Sequence, residues 1–146
     1  MKNALNIFAV VLTLFFLTST QAEAAVEEVG TARMLAVVNS TDAVVIEFYD
    51  SKASDQSGEC ANDVPIFQSV ADEYAGKVTF LRFDIQQDMA LAEAGRLTVC
   101  PTHLFVFHQV PDPQAIPNRT TYRRMGFLSA AQFKELIALY FSIQAP

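Results

Sequence analysis

The sequence predicts an α/β fold in which a central mixed β-sheet is flanked by helices. Short apolar runs rich in β-branched residues alternate with segments of helical periodicity, and this alternation is typical of βαβ units. Two consecutive strands and a last helix follow. The early strand pairs are therefore expected to be parallel, and the closing hairpin is expected to be antiparallel.

The first half of the predicted fold has two helices and two strands. Residues 26–38 carry apolar side chains at helical spacing and predict a first helix. Residues 43–49 form the uninterrupted apolar run of a buried central strand, with Glu47 as its one acid. The segments that follow are a polar loop at 50–59, a helix at 64–74 and an alternating strand at 78–83.

The second half begins with a short helix that is rich in alanine and leucine, at residues 89–96, and continues with a strand at 103–107. Three prolines indicate a long hairpin loop at 109–120. The last two elements are an edge strand at 121–125 and an amphipathic helix that Ser129 caps, ending at 141.

Residues 1–24 predict a secretory signal peptide, so the folded domain is expected to comprise residues 25–146. Lys2 precedes an apolar run at 7–17, and Ala22-Glu23-Ala24 offers small residues for cleavage. An uncleaved anchor is the alternative, although the run is short for a stable bilayer span. The expected protein is secreted or periplasmic, without a stable membrane anchor after cleavage.

The charge of the chain excludes two classes of partner. Ten Lys and Arg residues stand against 16 Asp and Glu residues, which gives a net charge of −6. Such an acidic protein, whose one basic doublet is Arg123-Arg124, is not suited to bind nucleic acid or anionic membrane surfaces. In an oxidising exported compartment, its two cysteines would tend to pair if they come within reach.

Four short motifs, taken in order, carry a family resemblance. They are Glu47-Phe48-Tyr49 at the end of the central strand, Cys60 followed by Pro65, Pro101-Thr102, and Gly126 before the last helix. Their order and spacing resemble those of thioredoxins and of the domains of protein disulfide isomerase, over most of residues 44–140. The resemblance implies the thioredoxin fold, a cis-proline at Pro101 and thiol–disulfide chemistry around Cys60.

The active-site position departs from that family. Ser57-Gly58-Glu59-Cys60 stands where the family has a Cys-x-x-Cys pair, so a serine replaces the attacking cysteine. Because a serine hydroxyl cannot form a disulfide, the usual two-electron cycle is closed to this motif. The second cysteine, Cys100, lies directly before the cis-proline position, where the family usually has an aliphatic residue or a threonine.

The resemblance implies that Cys60 and Cys100 are close in space, because the fold places the cis-proline loop against the start of the active-site helix. Three interpretations follow: a structural disulfide, a relocated redox pair in which Cys100 attacks and Cys60 resolves, or two separate thiols. We predict an atypical thiol–disulfide oxidoreductase that acts on protein or peptide thiols and disulfides. The alternative is a redox-inactive module that binds a protein or peptide partner in the cis-proline groove. That groove comprises Val99, Pro101, Thr102 and Gly126.

Glu47 is the candidate proton acceptor of the predicted site. The resemblance places an acid at this strand position beside a cation on the next strand, and Arg82 aligns with that cation. Two roles are open for Glu47. It either deprotonates the Cys60 thiol, or forms an ordinary buried ion pair with Arg82.

Ser57 and the two histidines indicate no further activity. A peroxide-holding hydroxyl, as in the Thr-x-x-Cys motif of peroxiredoxins, also requires a proline where this chain has Ala53, so Ser57 is expected to cap the helix instead. His103 is expected to face away from Cys100, and both His103 and His108 are expected to be solvated. The sequence therefore predicts no metal and no cofactor.

Overall fold

The computed structural model describes residues 26–53, 58–108 and 119–144. Its strands are β1 (Val26–Glu28), β2 (Ala43–Tyr49), β3 (Thr79–Asp84), β4 (Thr102–His108) and β5 (Arg119–Met125). Its helices are α1 (Thr31–Ser40), α2 (Glu59–Glu73), α3 (Met89–Gly95) and α4 (Ala130–Phe141), with a 3-10 turn at Ile85–Gln87 before α3.

The strands form a mixed sheet in the spatial order β1-β3-β2-β4-β5. β3 pairs with β1 and with β2 in parallel, whereas β4 pairs with β2 and with β5 in antiparallel fashion. The expected parallel pairs and the antiparallel closing hairpin are confirmed. In this register Glu47 of β2 lies opposite Arg82 of β3 on one side and opposite His103 of β4 on the other.

Helices cover both faces of the sheet, and each face buries its own apolar cluster. On one face, α2 and α4 contribute Phe67 and Phe133, which pack on Phe80 and Phe105 of the sheet. On the other face, α1 and α3 cover a second cluster that includes Ile46 and Leu81. The predicted fold class, a central mixed sheet flanked by helices, is therefore confirmed.

The last helix begins where its sequence predicts. The Ser129 hydroxyl accepts a hydrogen bond from the Gln132 backbone N–H, and the Gln132 side chain accepts one from the Ser129 N–H. This reciprocal capping box satisfies two backbone donors that a helix start otherwise leaves unpaired. After this cap, the apolar face of α4 places Phe133 and Ile137 in the core, where both are fully buried.

The element boundaries differ most from the prediction in three places. Residues 26–38 were expected to form one helix, but Val26–Glu28 is a strand and the helix begins only after Gly30. The strand forms because it pairs with Phe80 to Arg82, which lie far away in sequence. α2 begins at Glu59 rather than 64, and Arg119 and Thr120 extend β5 into the expected loop.

Other predictions fall on residues that the structure does not describe. The predicted signal peptide at 1–24 and most of the long loop at 109–120 lie outside the described residues. Within the part of the chain that is described, no helix combines the length and the apolar character needed to cross a bilayer.

Candidate functional site

Cys60 and Cys100 are joined by a disulfide, and their Cα atoms lie 5.5 Å apart. Cys60 is the second residue of α2, and Cys100 directly precedes Pro101 at the entry to β4. The Cα separation falls in the ordinary range for a disulfide. The bond leaves two of the three interpretations open, a structural disulfide and a relocated redox pair, and it removes the third, in which both thiols are separate.

The loop that carries Cys100 is fixed by its own hydrogen bonds. The Cys100–Pro101 peptide bond is cis, as the family resemblance implies. The Thr102 hydroxyl donates to the Val99 carbonyl oxygen, and the Gly126 N–H donates to the Pro101 carbonyl oxygen at 2.8 Å. Gly126 adopts a φ of 85°, a left-handed conformation that glycine tolerates without strain.

Two adjacent clefts open on either side of the disulfide. One has a volume of about 200 Å³ and is lined in part by Cys60 and Arg82, and the other has a volume of about 350 Å³ and includes Cys100. Both clefts share Tyr49, Asp50 and Ala53. Neither cysteine is fully buried. Part of each cysteine is therefore accessible to solvent among the described residues.

The predicted Ser57-to-Cys60 segment is described in part. Gly58 is the N-cap residue of α2 and its carbonyl oxygen accepts hydrogen bonds from the Ala61 and Asn62 N–H groups. The cap is thus Gly58, and not Ser57 as we expected. Ser57 itself and the side chain of Glu59 lie outside the described part of the chain.

The predicted groove residues differ in how far solvent reaches them. Val99 is exposed, with 41% of its surface accessible, whereas Pro101 and Thr102 are buried. Their role in holding a substrate stays a prediction. Pro65 lies inside α2, five residues after Cys60, at the position that the resemblance assigns to the family's helix proline.

Glu47 and Arg82 form the ion pair that their alignment predicts. The Arg82 Nε–H donates to Glu47 Oε2 at 2.8 Å, and Arg82 Nη1 donates to Glu28 Oε1 at 2.7 Å. Glu47 is fully buried. Burial raises the pKa of Glu47, and the hydrogen bond and charge of Arg82 offset part of that rise. Glu47 is therefore a carboxyl group that binds a proton more readily than an exposed glutamate.

Tyr49 connects this ion pair to the shared side of the clefts. Its hydroxyl donates to Glu28 Oε2 at 3.0 Å, and the Arg82 guanidinium lies 4.2 Å from the centre of its ring. Burial and the hydrogen bond to Glu28 raise the pKa of Tyr49 to about 12. Tyr49 thus stays protonated at neutral pH and acts as a hydrogen-bond donor and a stacking surface.

A second buried polar pair escaped the sequence analysis. His103 Nε2 lies 2.8 Å from Asp63 Oδ2, and both side chains are completely buried. The expectation that His103 is solvated is therefore wrong, because its strand position faces α2 and the acid there. The side chain of His108 lies outside the described residues. Among the described residues, no three His, Cys, Asp or Glu side chains are grouped to hold a metal ion.

A signal for Asp63 was present in the spacing of α2. Its buried side chains recur at helical intervals, and Asp63 occupies a position of that stripe one turn before Phe67. The predicted helix covered only residues 64–74, so Asp63 lay outside it and its core-facing position was not recognised. An acid at a core-facing position requires a partner, and His103 supplies it.

Comparison with known proteins agrees with this architecture. A relative named "Thioredoxin H-type" from Chlamydomonas reinhardtii is 40% identical over 55 residues, which are 38% of this chain and 45% of that protein. The match thus spans less than half the length of this relative. Because the match is partial, the activity of this relative is not assigned to the present chain.

A solved structure is similar over a longer stretch. The crystal structure of chloroplastic thioredoxin z matches with a TM-score of 0.66 and 21% identity, over 81% of this chain and 96% of that one. At this identity, the similarity establishes the thioredoxin fold. The Thioredoxin family model matches residues 25–121, which is more than half of the sequence. The chain therefore belongs to the thioredoxin family.

Proposed function

We propose that the protein is an exported thiol–disulfide oxidoreductase in which the Cys60–Cys100 disulfide takes the place of the family's Cys-x-x-Cys pair. One observation carries this proposal. The disulfide lies at the family's active-site position, between the start of α2 and the cis-proline loop, and it borders two clefts that are open to solvent. A purely structural disulfide does not need such access.

The reaction is a two-step exchange with a substrate dithiol. A substrate thiolate attacks Cys100 Sγ, the disulfide breaks, and its bonding electron pair leaves with Cys60 Sγ as a thiolate. The second substrate thiolate then attacks the mixed disulfide and releases Cys100. The substrate is oxidised to a disulfide, and the protein gains two electrons and, once both thiolates are protonated, two protons. In reverse, Cys100 attacks a substrate disulfide and Cys60 resolves the mixed disulfide.

The surroundings of Cys60 favour its role as leaving and resolving group. It lies in the first turn of a 15-residue helix, where the macrodipole stabilises a thiolate. Arg82 lines the same cleft and contributes a permanent positive charge. Glu47, whose pKa is raised by burial, is the proposed acceptor of the Cys60 proton as the disulfide re-forms, and it returns that proton to the Cys60 thiolate when the disulfide opens.

The proposed substrates are supported by the family, and the proposed location is supported by the composition of residues 1–24. Members of the thioredoxin family act on thiols and disulfides of proteins, and this supports protein or peptide substrates here. The signal-like composition of residues 1–24 supports an exported domain comprising residues 25–146 in a secreted or periplasmic location. Such a compartment is also the one in which disulfides persist.

Two serine variants test the proposal, because each removes the disulfide equally and differs only in which thiol remains. With a small disulfide substrate and a dithiol reductant, Cys100→Ser is expected to abolish turnover. Cys60→Ser is expected to accumulate a mixed disulfide at Cys100 that mass spectrometry detects. Retained turnover in Cys100→Ser would show that Cys100 is not the attacking residue.

A binding module without turnover is the second candidate, and exposed apolar side chains beside the disulfide favour it. Val99 and Met125 expose 41% and 61% of their surfaces, and Met125 is the cross-strand partner of Thr102 at the cis-proline loop. An extended peptide can pair with the backbone there. In that case Cys100→Ser keeps peptide capture, and the wild type shows capture without turnover.

A further inference from the structure

The Asp63–His103 pair joins α2 to β4, close to where the disulfide joins α2 to the loop that enters β4. Asp63 follows Cys60 by three residues on α2, and His103 on β4 follows by three residues Cys100, which lies in the loop that enters β4. Residues three apart on a helix share a face, so Cys60 and Asp63 both point from α2 toward β4. The chain thus ties α2 twice to this part of the sheet, once covalently through the loop that enters β4 and once to β4 itself by a buried hydrogen bond of 2.8 Å.

The buried pair is held from several sides. The His103 ring lies 4.8 Å from the Phe133 ring in an edge-to-face arrangement and 5.9 Å from the Phe67 ring. The second carboxylate oxygen of Asp63 accepts the Leu128 N–H at 3.5 Å. His103 Nδ1 has no hydrogen-bond partner among the described residues, so the contact with Asp63 is the polar anchor of this ring. Breaking a hydrogen bond in a dry interior is costly, because it leaves buried polar groups without a partner.

We propose that Asp63 and His103 are positioning residues that hold Cys60 and Cys100 in register after the disulfide is reduced. This inference rests on the proposed function. A dithiol reductant such as dithiothreitol supplies two electrons and two protons, becomes a cyclic disulfide and leaves two thiols on the protein. The hydrogen bond persists in this reduced form, keeps the thiols at high local concentration and thereby favours re-formation of the disulfide.

The position of the pair distinguishes this role from general stabilisation. A tie that is equally strong in both redox states stabilises the fold against unfolding, wherever it lies. Only a tie between the two cysteine-bearing elements restricts the separation of the thiols in the reduced protein. The ion pair of Glu73 and Lys134, at 2.7 Å, also holds α2, but it joins the far end of the helix to α4.

The test is the equilibrium constant with dithiothreitol, measured for the wild-type protein and three variants. The double substitution Asp63→Leu with His103→Leu replaces the tie by apolar packing and is expected to shift the equilibrium about tenfold toward the reduced protein. That change is about 30 mV for a two-electron couple. Asp63→Asn keeps a hydrogen bond to His103 and is expected to shift it by less than about threefold. Glu73→Gln is the matched control and is expected to leave it unchanged.

A folded double variant with the wild-type equilibrium constant would overturn the proposal. If that variant does not fold, amide hydrogen exchange on the reduced wild type decides instead. The amides of Asp63 and His103 are then expected to stay protected to within about tenfold of the oxidised form. Exchange as fast as at a frayed helix end would overturn the proposal equally.

The dithiothreitol equilibrium requires no catalytic turnover, so the two proposals fail separately. A tenfold shift in a protein without turnover would support the positioning role and refute the oxidoreductase. Turnover that depends on Cys100, together with an unchanged equilibrium constant in the double variant, would support the oxidoreductase and refute the positioning role.

Discussion

Glu47 and Arg82 face each other across β2 and β3, and the Arg82 guanidinium spans from Glu47, at 2.8 Å, to Glu28, at 2.7 Å. All three residues are cross-strand partners in one row of the sheet, and His103 continues that row on β4. Acidic and basic residues therefore alternate along this row of the sheet. Arginine keeps its proton at all ordinary pH values, so Glu47 is the titrating member of its ion pair.

Removing the cation of this pair is expected to destabilise the protein strongly. In Arg82→Met the Glu47 carboxylate loses its partner while it stays buried, and the free energy of unfolding at neutral pH should fall by about 3 kcal/mol. Urea unfolding followed by circular dichroism measures this loss.

Arg33→Met is the matched control, because Arg33 pairs with Glu27 at 2.9 Å on the surface. That exposed ion pair should contribute no more than about 1 kcal/mol. Equal losses in the two variants would contradict the conclusion that burial of Glu47 makes its ion pair with Arg82 more costly to break than a surface pair.

The titration of Glu47 is expected to appear as a pH-dependent difference between the wild type and Glu47→Gln. Burial raises the pKa of Glu47 above the ordinary value of 4.5, so the folded state binds this proton more tightly than the unfolded state. The Glu47 contribution to stability is therefore complete below the unfolded pKa and declines as the pH rises through the folded pKa.

Glu47→Gln lacks this decline, so it should gain stability relative to the wild type as the pH rises from about 4.5. Unfolding free energies of both proteins across the acidic and neutral range provide the comparison. A difference that stays constant with pH, or that moves in favour of the wild type, would show that the pKa of Glu47 is not raised.

Local patterns predicted the elements that depend on local sequence. The strand Ala43–Tyr49 was predicted with its exact bounds, because an apolar run of that length between polar segments is typical of a buried strand. The cap at Ser129 was also predicted correctly, since serine with Gln132 three residues later forms a capping box. β1 was missed because three residues carry no periodicity, and its strand character comes from β3, far along the chain.

The candidate site was predictable to the extent that it follows the family pattern. The proximity of Cys60 and Cys100 and the pairing of Glu47 with Arg82 both followed from aligned positions. The burial of His103 did not, because it depends on Asp63, an acid forty residues earlier that no local motif connects with it. Buried polar pairs form between distant elements, so single-sequence periodicity shows at best one partner at a time.

The disulfide is expected to contribute substantially to stability. It joins residues 40 positions apart, and the loss of chain entropy in the unfolded state then stabilises the fold by about 4 kcal/mol. The double substitution Cys60→Ser with Cys100→Ser should lower the free energy of unfolding by about this amount, as measured by urea unfolding. A loss below about 1 kcal/mol would contradict this expectation, because it would mean that the disulfide does not restrict the unfolded chain appreciably.

The capping box of α4 is expected to contribute measurably to the fold. Ser129→Ala removes the acceptor of the Gln132 N–H and should lower the free energy of unfolding by about 1 kcal/mol. Ser40→Ala is a suitable comparison. Ser40 is the last residue of α1, and its exposed hydroxyl donates to the carbonyl oxygens of Ala36 and Val37, so it caps no helix start. Thermal unfolding of the two variants should therefore differ, and equal midpoints would contradict the capping role.

The most direct test of the central claim is a redox titration of the protein in glutathione buffers, with free thiols counted at each ratio. An oxidoreductase disulfide is expected to open at a potential of about −200 mV and to yield two thiols, one of them with a low pKa. A disulfide that stays closed to below about −300 mV would contradict the claim. The Cys60–Cys100 bond would then be a structural cross-link, and the cis-proline groove would be the remaining candidate for function.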